Sequence, residues 1–172
     1  MLRLLFTAAP DPISKAIRRL TGQPVSHVGI QTGGSMVLSA ELRGVIEQTD
    51  LQFLSMGRTL VASYEATPEG EKHLMLWRAR AHIGDRYGLG ELPGFAWATL
   101  ARRWLGKSVR NPFHDPKAVV CSEFVLYLDD ETGFVTEFKD LDPETTTPGD
   151  LLTRLRMGGP TFRPVFDPGV LE

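Results

Sequence analysis

The chain has 172 residues and contains a single cysteine, no internal repeat, no low-complexity tract and no strong net charge. One thiol cannot close an intrachain disulfide, which excludes a disulfide-stapled scaffold. Nor can it build a multi-cysteine zinc or iron–sulfur centre within one chain. The apolar run Leu4-Leu5-Phe6 is far shorter than a signal-peptide core. Nothing approaches the ~20 apolar residues of a membrane span. The expectation is a chain made and kept in the cytoplasm, or one carried within a virion. Lys and Arg number 19 against 21 Asp and Glu, a formal charge of −2. That balance gives no global argument for a nucleic acid partner.

What is present suits an ordinary globular fold: 42% hydrophobic residues and 23% charged. The charge is unevenly spread. Between Lys72 and Lys117 nine basic residues face three acidic ones, +6, so the remainder carries −8. Solvated helix faces with local ion pairs explain such a stretch. A basic wall beside an anionic substrate or a weakly bound membrane surface explains it too.

Leu2–Thr7 reads as a buried strand, and Asp11-Pro12-Ile13 as a helix start ended by Gly22, with Ile13, Ile17 and Leu20 on one face. Val25–Thr32, the Gly33-Gly34 turn and Met36–Ala40 form a hairpin pattern, extended by Gly44–Gln48 and Thr59–Tyr64. Thr67-Pro68 opens a helix expected to run to about Ile83, burying Leu74, Leu76, Trp77 and Ala81. After a loop over Gly84–Gly94, Phe95–Leu105 has helical spacing that places Trp97 and Trp104 in a core. A membrane-surface helix is the competing reading. Asn111–Pro116 reads as loop, Ser122–Asp130 as a helix packed through Phe124, Val125 and Leu128, and Thr147-Pro148 as the start of a last helix. Early strands and late helices predict an α+β fold, a small antiparallel sheet packed against a few helices. Residues 1–157 form the expected domain, and 158–172 a Gly/Pro-rich tail or an edge strand at Phe162–Phe166.

Cys121 stands where an apolar run meets a helix start, "AVVCSEFV". Unpaired backbone N–H groups there favour thiolate and can hold an oxyanion. A free cysteine also packs as a small apolar side chain. A thiolate nucleophile needs a base, usually a histidine oriented by a third polar group. His73 and His82 lie on a solvated helix and His114 in a loop, whereas His27 sits on a strand among apolar neighbours. Taken singly, His27 also reads as a satisfied core residue.

Together, "SHVGI" around His27 and "VCSEFV" around Cys121 resemble the NlpC-type papain-like cysteine peptidases. The order His before Cys is similar to the circularly permuted, YiiX-like branch of that superfamily. "LRLLFT", "IGDRYG" (Ile83–Gly88) and "TTPGDLL" agree in position, so the resemblance covers roughly residues 1–155. It implies a single permuted papain-like domain with Cys121 as nucleophile and His27 as general base, then acid. The orienting residue should follow on the next strand. Ser39 holds that position, where the family usually has His, Glu, Asn or Gln. Glu41, two residues on, is preferred as the better partner for an imidazolium, reached through a small shift or bulge. Tyr87 and Ser122 are implied in substrate binding. Val120 departs from the Asp that often precedes the cysteine.

The resemblance implies a thioester-forming amide hydrolase acting on peptide or murein fragments, needing no metal and no cofactor. Two other readings remain open: a structural or binding part of a larger assembly such as a phage tail, and a lipid amide or ester hydrolase or acyltransferase.

Overall fold

The computed structural model describes residues 1–55, 57–88, 90, 94, 97, 101, 118–128 and 137–170. Eight strands and six helices are defined among them. Six strands form one antiparallel sheet: β1 (Arg3–Ala8), β2 (His27–Gln31), β3 (Met36–Glu41), β4 (Gly44–Thr49), β5 (Thr59–Ala66) and β8 (Phe162–Phe166). Their spatial order is β4-β3-β2-β1-β5-β8. Two short strands, β6 (Arg86–Tyr87) and β7 (Ala118–Val119), pair in parallel. The architecture is α+β, as composition and periodicity predict.

Alternation along the strands gives the sheet two faces. Leu4 and Phe6 of β1, Val28 and Ile30 of β2, and Leu38 and Ala40 of β3 belong to the larger apolar cluster. It also takes in Phe124, Val125 and Leu128 at α5 (Cys121–Leu126) and Leu151, Leu152 and Leu155 of α6 (Pro148–Arg156). Leu5 and Val37 instead meet Phe53 of α2 (Asp50–Ser55) in a smaller cluster. Each fully buried side chain of this kind is worth about 1.5–3 kcal/mol.

Local signals explain most element ends. Asp11 accepts from Ser14 N–H at the start of α1 (Pro12–Thr21), and Gly22 ends it in the left-handed region at φ 69°. Gly33 and Gly34, both at positive φ, turn β2 into β3. Thr147 and Asp150 cap α6 reciprocally.

Three expectations change, and one helix face takes a particular place. On the Ile13/Ile17/Leu20 face of α1, Ile13 is exposed and Ile17 and Leu20 are half-buried, while Ser14 is the buried residue of the helix. The long helix predicted from Thr67 to Ile83 is two, α3 (Pro68–His73) and α4 (Leu76–Ala81). Leu74 is extended there, and Met75 N–H leaves the helical ladder to donate to Leu128 O at 2.9 Å. The break resets the helical phase, so Ala79 turns inward while Trp77, 68% exposed, and Ala81 turn out. The predicted Gly84–Gly94 loop contains β6. Trp97, expected in the core, is 54% exposed. Trp104, Arg102, Arg103, His114, the Asn111–Pro116 loop and nearly all of the Phe95–Leu105 helix lie outside the described residues. The C-terminal segment contributes an edge strand, β8 pairing with β5.

Among the described residues no helix is long and apolar enough to cross a membrane.

Candidate functional site

Strand register does most of the positioning. β2 pairs β3 at Ile30↔Leu38 and Gln31↔Val37. The paired register ends at Ile30↔Leu38, and His27, Ser39 and Glu41 follow at positions of the same parity on the two strands. The side chains of His27, Ser39 and Glu41 therefore share one face. His27 Nε2 lies 3.4 Å from Glu41 Oε1. Glu41 is thus the carboxylate that lies against the imidazole. Ser39 Oγ donates to Glu41 Oε1 at 2.8 Å.

The cysteine arrives from the other side. β7 runs into α5, which packs on β2 and β3 and carries Cys121 as its first residue. Backbone N–H groups alternate sides along a strand. Thr32 N–H bonds Met36 O across the hairpin, so Val28 N–H, four residues earlier, points toward β3 as well. It is given to the Cys121 sulfur. The thiol is thus held by Val28 N–H of β2 and in direct interaction with the His27 imidazole. With Nε2 turned to Glu41, the ring nitrogen left for the thiol is Nδ1. All three side chains are deeply buried, Cys121 at 4% exposure.

A third layer holds Glu41. Arg58, between α2 and β5, grips its carboxylate with both guanidinium arms, Nη1 to Oε1 at 2.7 Å and Nη2 to Oε2. Gln48 Nε2 on β4 donates to Glu41 Oε1 and to Ser39 Oγ, each at 3.1 Å. Phe53 is the plate beneath. The Arg58 guanidinium carbon stands 4.8 Å from its ring centroid, and the His27 ring centroid 5.7 Å. The plate fits because residue 29 is glycine: a Cβ there would lie 2.9 Å from two Phe53 ring carbons and from Val37 Cγ1.

The electrostatics follow from this packing. Burial alone pushes the Glu41 carboxyl up, but Arg58's hydrogen bonds, then His27, hold it well below the usual carboxylate range. For His27, burial pulls down, and the Cys121 and Glu41 charges overcome it, raising the imidazole from 6.5 to about 9. For Cys121, burial pushes the thiol up, while His27 and Val28 N–H bring it below its ordinary value. The three groups therefore favour thiolate beside imidazolium.

Other expected residues take different places. Tyr87 on β6 pairs in register with Val119, two residues before Cys121, and is half-buried against the main cluster. The Ser122 hydroxyl donates to Thr146 O at 2.6 Å, so it ties α5 to the segment before α6. Glu123 accepts from Tyr127 OH at 2.9 Å. His82 stacks on Tyr127 with ring centroids 4.2 Å apart and pairs with Asp85, and His73 faces Glu69 on the surface. Arg58, Gln48 and Phe53 were not expected from the sequence. They lie 31, 21 and 26 residues from His27 by number, and only the fold brings them together. Among the described residues no three His, Cys, Asp or Glu side chains cluster to hold a metal.

No family model matches the chain, and comparisons with curated proteins and with solved structures find no match.

Proposed function

We propose that the chain is a cysteine-dependent amide hydrolase with a permuted papain-like fold, and that cell-wall peptide is its substrate class. The observation that carries this reading is the buried Cys121–His27–Glu41 line, with the sulfur on one side of the imidazole and a locked carboxylate on the other. A merely structural cysteine has no use for a histidine held in this way.

His27 takes the Cys121 proton, and the thiolate attacks an amide carbonyl carbon. The oxyanion of the tetrahedral intermediate meets first-turn N–H groups of α5, which have no intrahelical acceptor. Collapse breaks the C–N bond, and the His27 imidazolium protonates the departing amine. Water then attacks the thioester with neutral His27 as base, releasing the carboxylic acid and restoring the thiol. Glu41 stabilises the imidazolium and fixes its ring. The Ser122 side chain, occupied by Thr146, contributes only through its backbone, and Tyr87 borders the approach to Cys121.

The test is incubation of wild type and Cys121→Ala with muropeptides and, separately, with acyl-amide lipids. Cleavage of muropeptides by wild type alone supports the reading. Cleavage of the lipids alone moves the substrate class to lipid amides. Cleavage of neither, with an unreactive thiol, leaves a binding or structural component.

A further inference from the structure

We propose that Arg58 is a positioning residue for the Cys121–His27 pair, acting through Glu41 by filling the carboxylate oxygen that faces the imidazole. The inference rests on the reading of Cys121 and His27 as reacting groups.

Glu41 Oε1 is crowded. It accepts from Arg58 Nη1 at 2.7 Å, Ser39 Oγ at 2.8 Å and Gln48 Nε2 at 3.1 Å. A carboxylate oxygen has about two lone-pair sites. Three donors leave none aimed at His27, and its buried Nε2 accordingly makes no aligned hydrogen bond despite lying 3.4 Å away. The carboxylate acts on the imidazole as a charge held at a fixed distance, and Arg58 offsets part of that charge.

This matters for a base that must both gain and lose a proton in each cycle. An unopposed buried carboxylate would hold the imidazolium proton too firmly for His27 to serve as base in thioester hydrolysis. Arg58 also donates to Phe53 O at 3.3 Å and lies over the Phe53 ring, which packs beside His27 as well. One side chain thereby sets the carboxylate's charge and the plate under the imidazole. The charged groups facing His27 are Glu41 from β3 and Cys121 from α5, with Arg58 beyond Glu41. Thr7, opposite His27 on β1, and Ser39 and Gln48 are uncharged.

The experiment is the rate of Cys121 alkylation by iodoacetamide against pH in wild type, Arg58→Met, Arg58→Lys, Glu41→Gln and the Arg58→Met/Glu41→Gln double variant. Thiolate formation gives the lower limb, and loss of the imidazolium proton the upper one. Arg58→Met should move both limbs upward by about one pH unit, because it frees Oε1 and unmasks the Glu41 charge. Glu41→Gln should move both downward. In the double variant the Arg58 effect should vanish, since its route through Glu41 is gone. Arg58→Lys keeps the charge and should shift the limbs by less than half as much.

Superimposable profiles in wild type and a folded Arg58→Met overturn the proposal, as does an Arg58 effect undiminished in the Glu41→Gln background. If Arg58→Met does not fold, Arg58→Gln, which also removes the charge, takes its place, and a folded Arg58→Gln with the wild-type profile again overturns the proposal. A wild-type profile like that of a free thiol defeats the hydrolase reading instead, so the two failures are distinguishable.

Discussion

His27 of β2 and Glu41 of the neighbouring β3 have 3.4 Å between Nε2 and Oε1, yet no hydrogen bond aligns them, because that oxygen is already filled by Arg58, Ser39 and Gln48. The pair is an electrostatic one, and its strength is set by residues outside it.

The first consequence separates Glu41 from Ser39. Glu41→Gln removes the charge that stabilises the imidazolium and leaves the Arg58 guanidinium buried without its carboxylate. Amide hydrolysis should fall by about 10²-fold or more. Ser39→Ala removes one of three donors to Oε1 and no charge, so its loss should be within a few-fold. Steady-state rates on the substrate cleaved by wild type check both. Equal rates in the two variants contradict the assignment of Glu41.

Gly29 should be intolerant of even one methyl group. A Cβ at 2.9 Å from Phe53 and Val37 forces the plate under His27 to move. Gly29→Ala should cost about 1–3 kcal/mol in denaturant unfolding and lower the rate at the same time. An unchanged unfolding midpoint argues against the Phe53 packing.

Acid should destabilise the fold through carboxylates that are held ionised, Glu41 and Asp167 among them. Burial opposes ionisation of Glu41 and Asp167, but Arg58 for the first, and Arg156 with Tyr64 for the second, hold each below its ordinary value, 4.5 and 3.8. A depressed folded pKa means that the stabilisation is complete above the ordinary value and drains away as pH falls through the folded one. The thermal midpoint should therefore fall progressively below about pH 4.5. Asp167→Asn should flatten that acid slope by removing one of its contributing titrations. A slope identical to wild type would contradict the Tyr64–Asp167–Arg156 link.

Ser122→Ala gives the converse test. The hydroxyl is spent on Thr146 O, so the change should cost about 1 kcal/mol of stability and leave the bond-breaking step intact. A large loss of kcat with an unchanged melting temperature would return a direct role to that side chain.

The strands were legible because period-2 alternation, the Gly33-Gly34 turn and the Asp11 and Thr147 caps are local signals. So was the approach of His27 to Glu41, two residues beyond Ser39 on the next strand. What stayed hidden depends on the fold. α2 is six residues long and too short to show helical periodicity, yet it carries Phe53. Nothing local marks Arg58, at the head of β5, as a buried partner of β3. The α3–α4 break is made by a tertiary bond from Met75 to Leu128, which no helix pattern encodes. That bond also explains why Trp77, in phase for burial on one continuous helix, faces outward.

The most direct measurement of the central claim is the alkylation rate of Cys121 at pH 6 in wild type and His27→Ala. An imidazolium beside the sulfur lowers the thiol from its ordinary value of 9.0 and so favours thiolate. Wild type should react at least about tenfold faster than His27→Ala, and faster than a free thiol at that pH. Equal rates in the two proteins would show that Cys121 is an ordinary buried thiol and that the site is not a nucleophilic one.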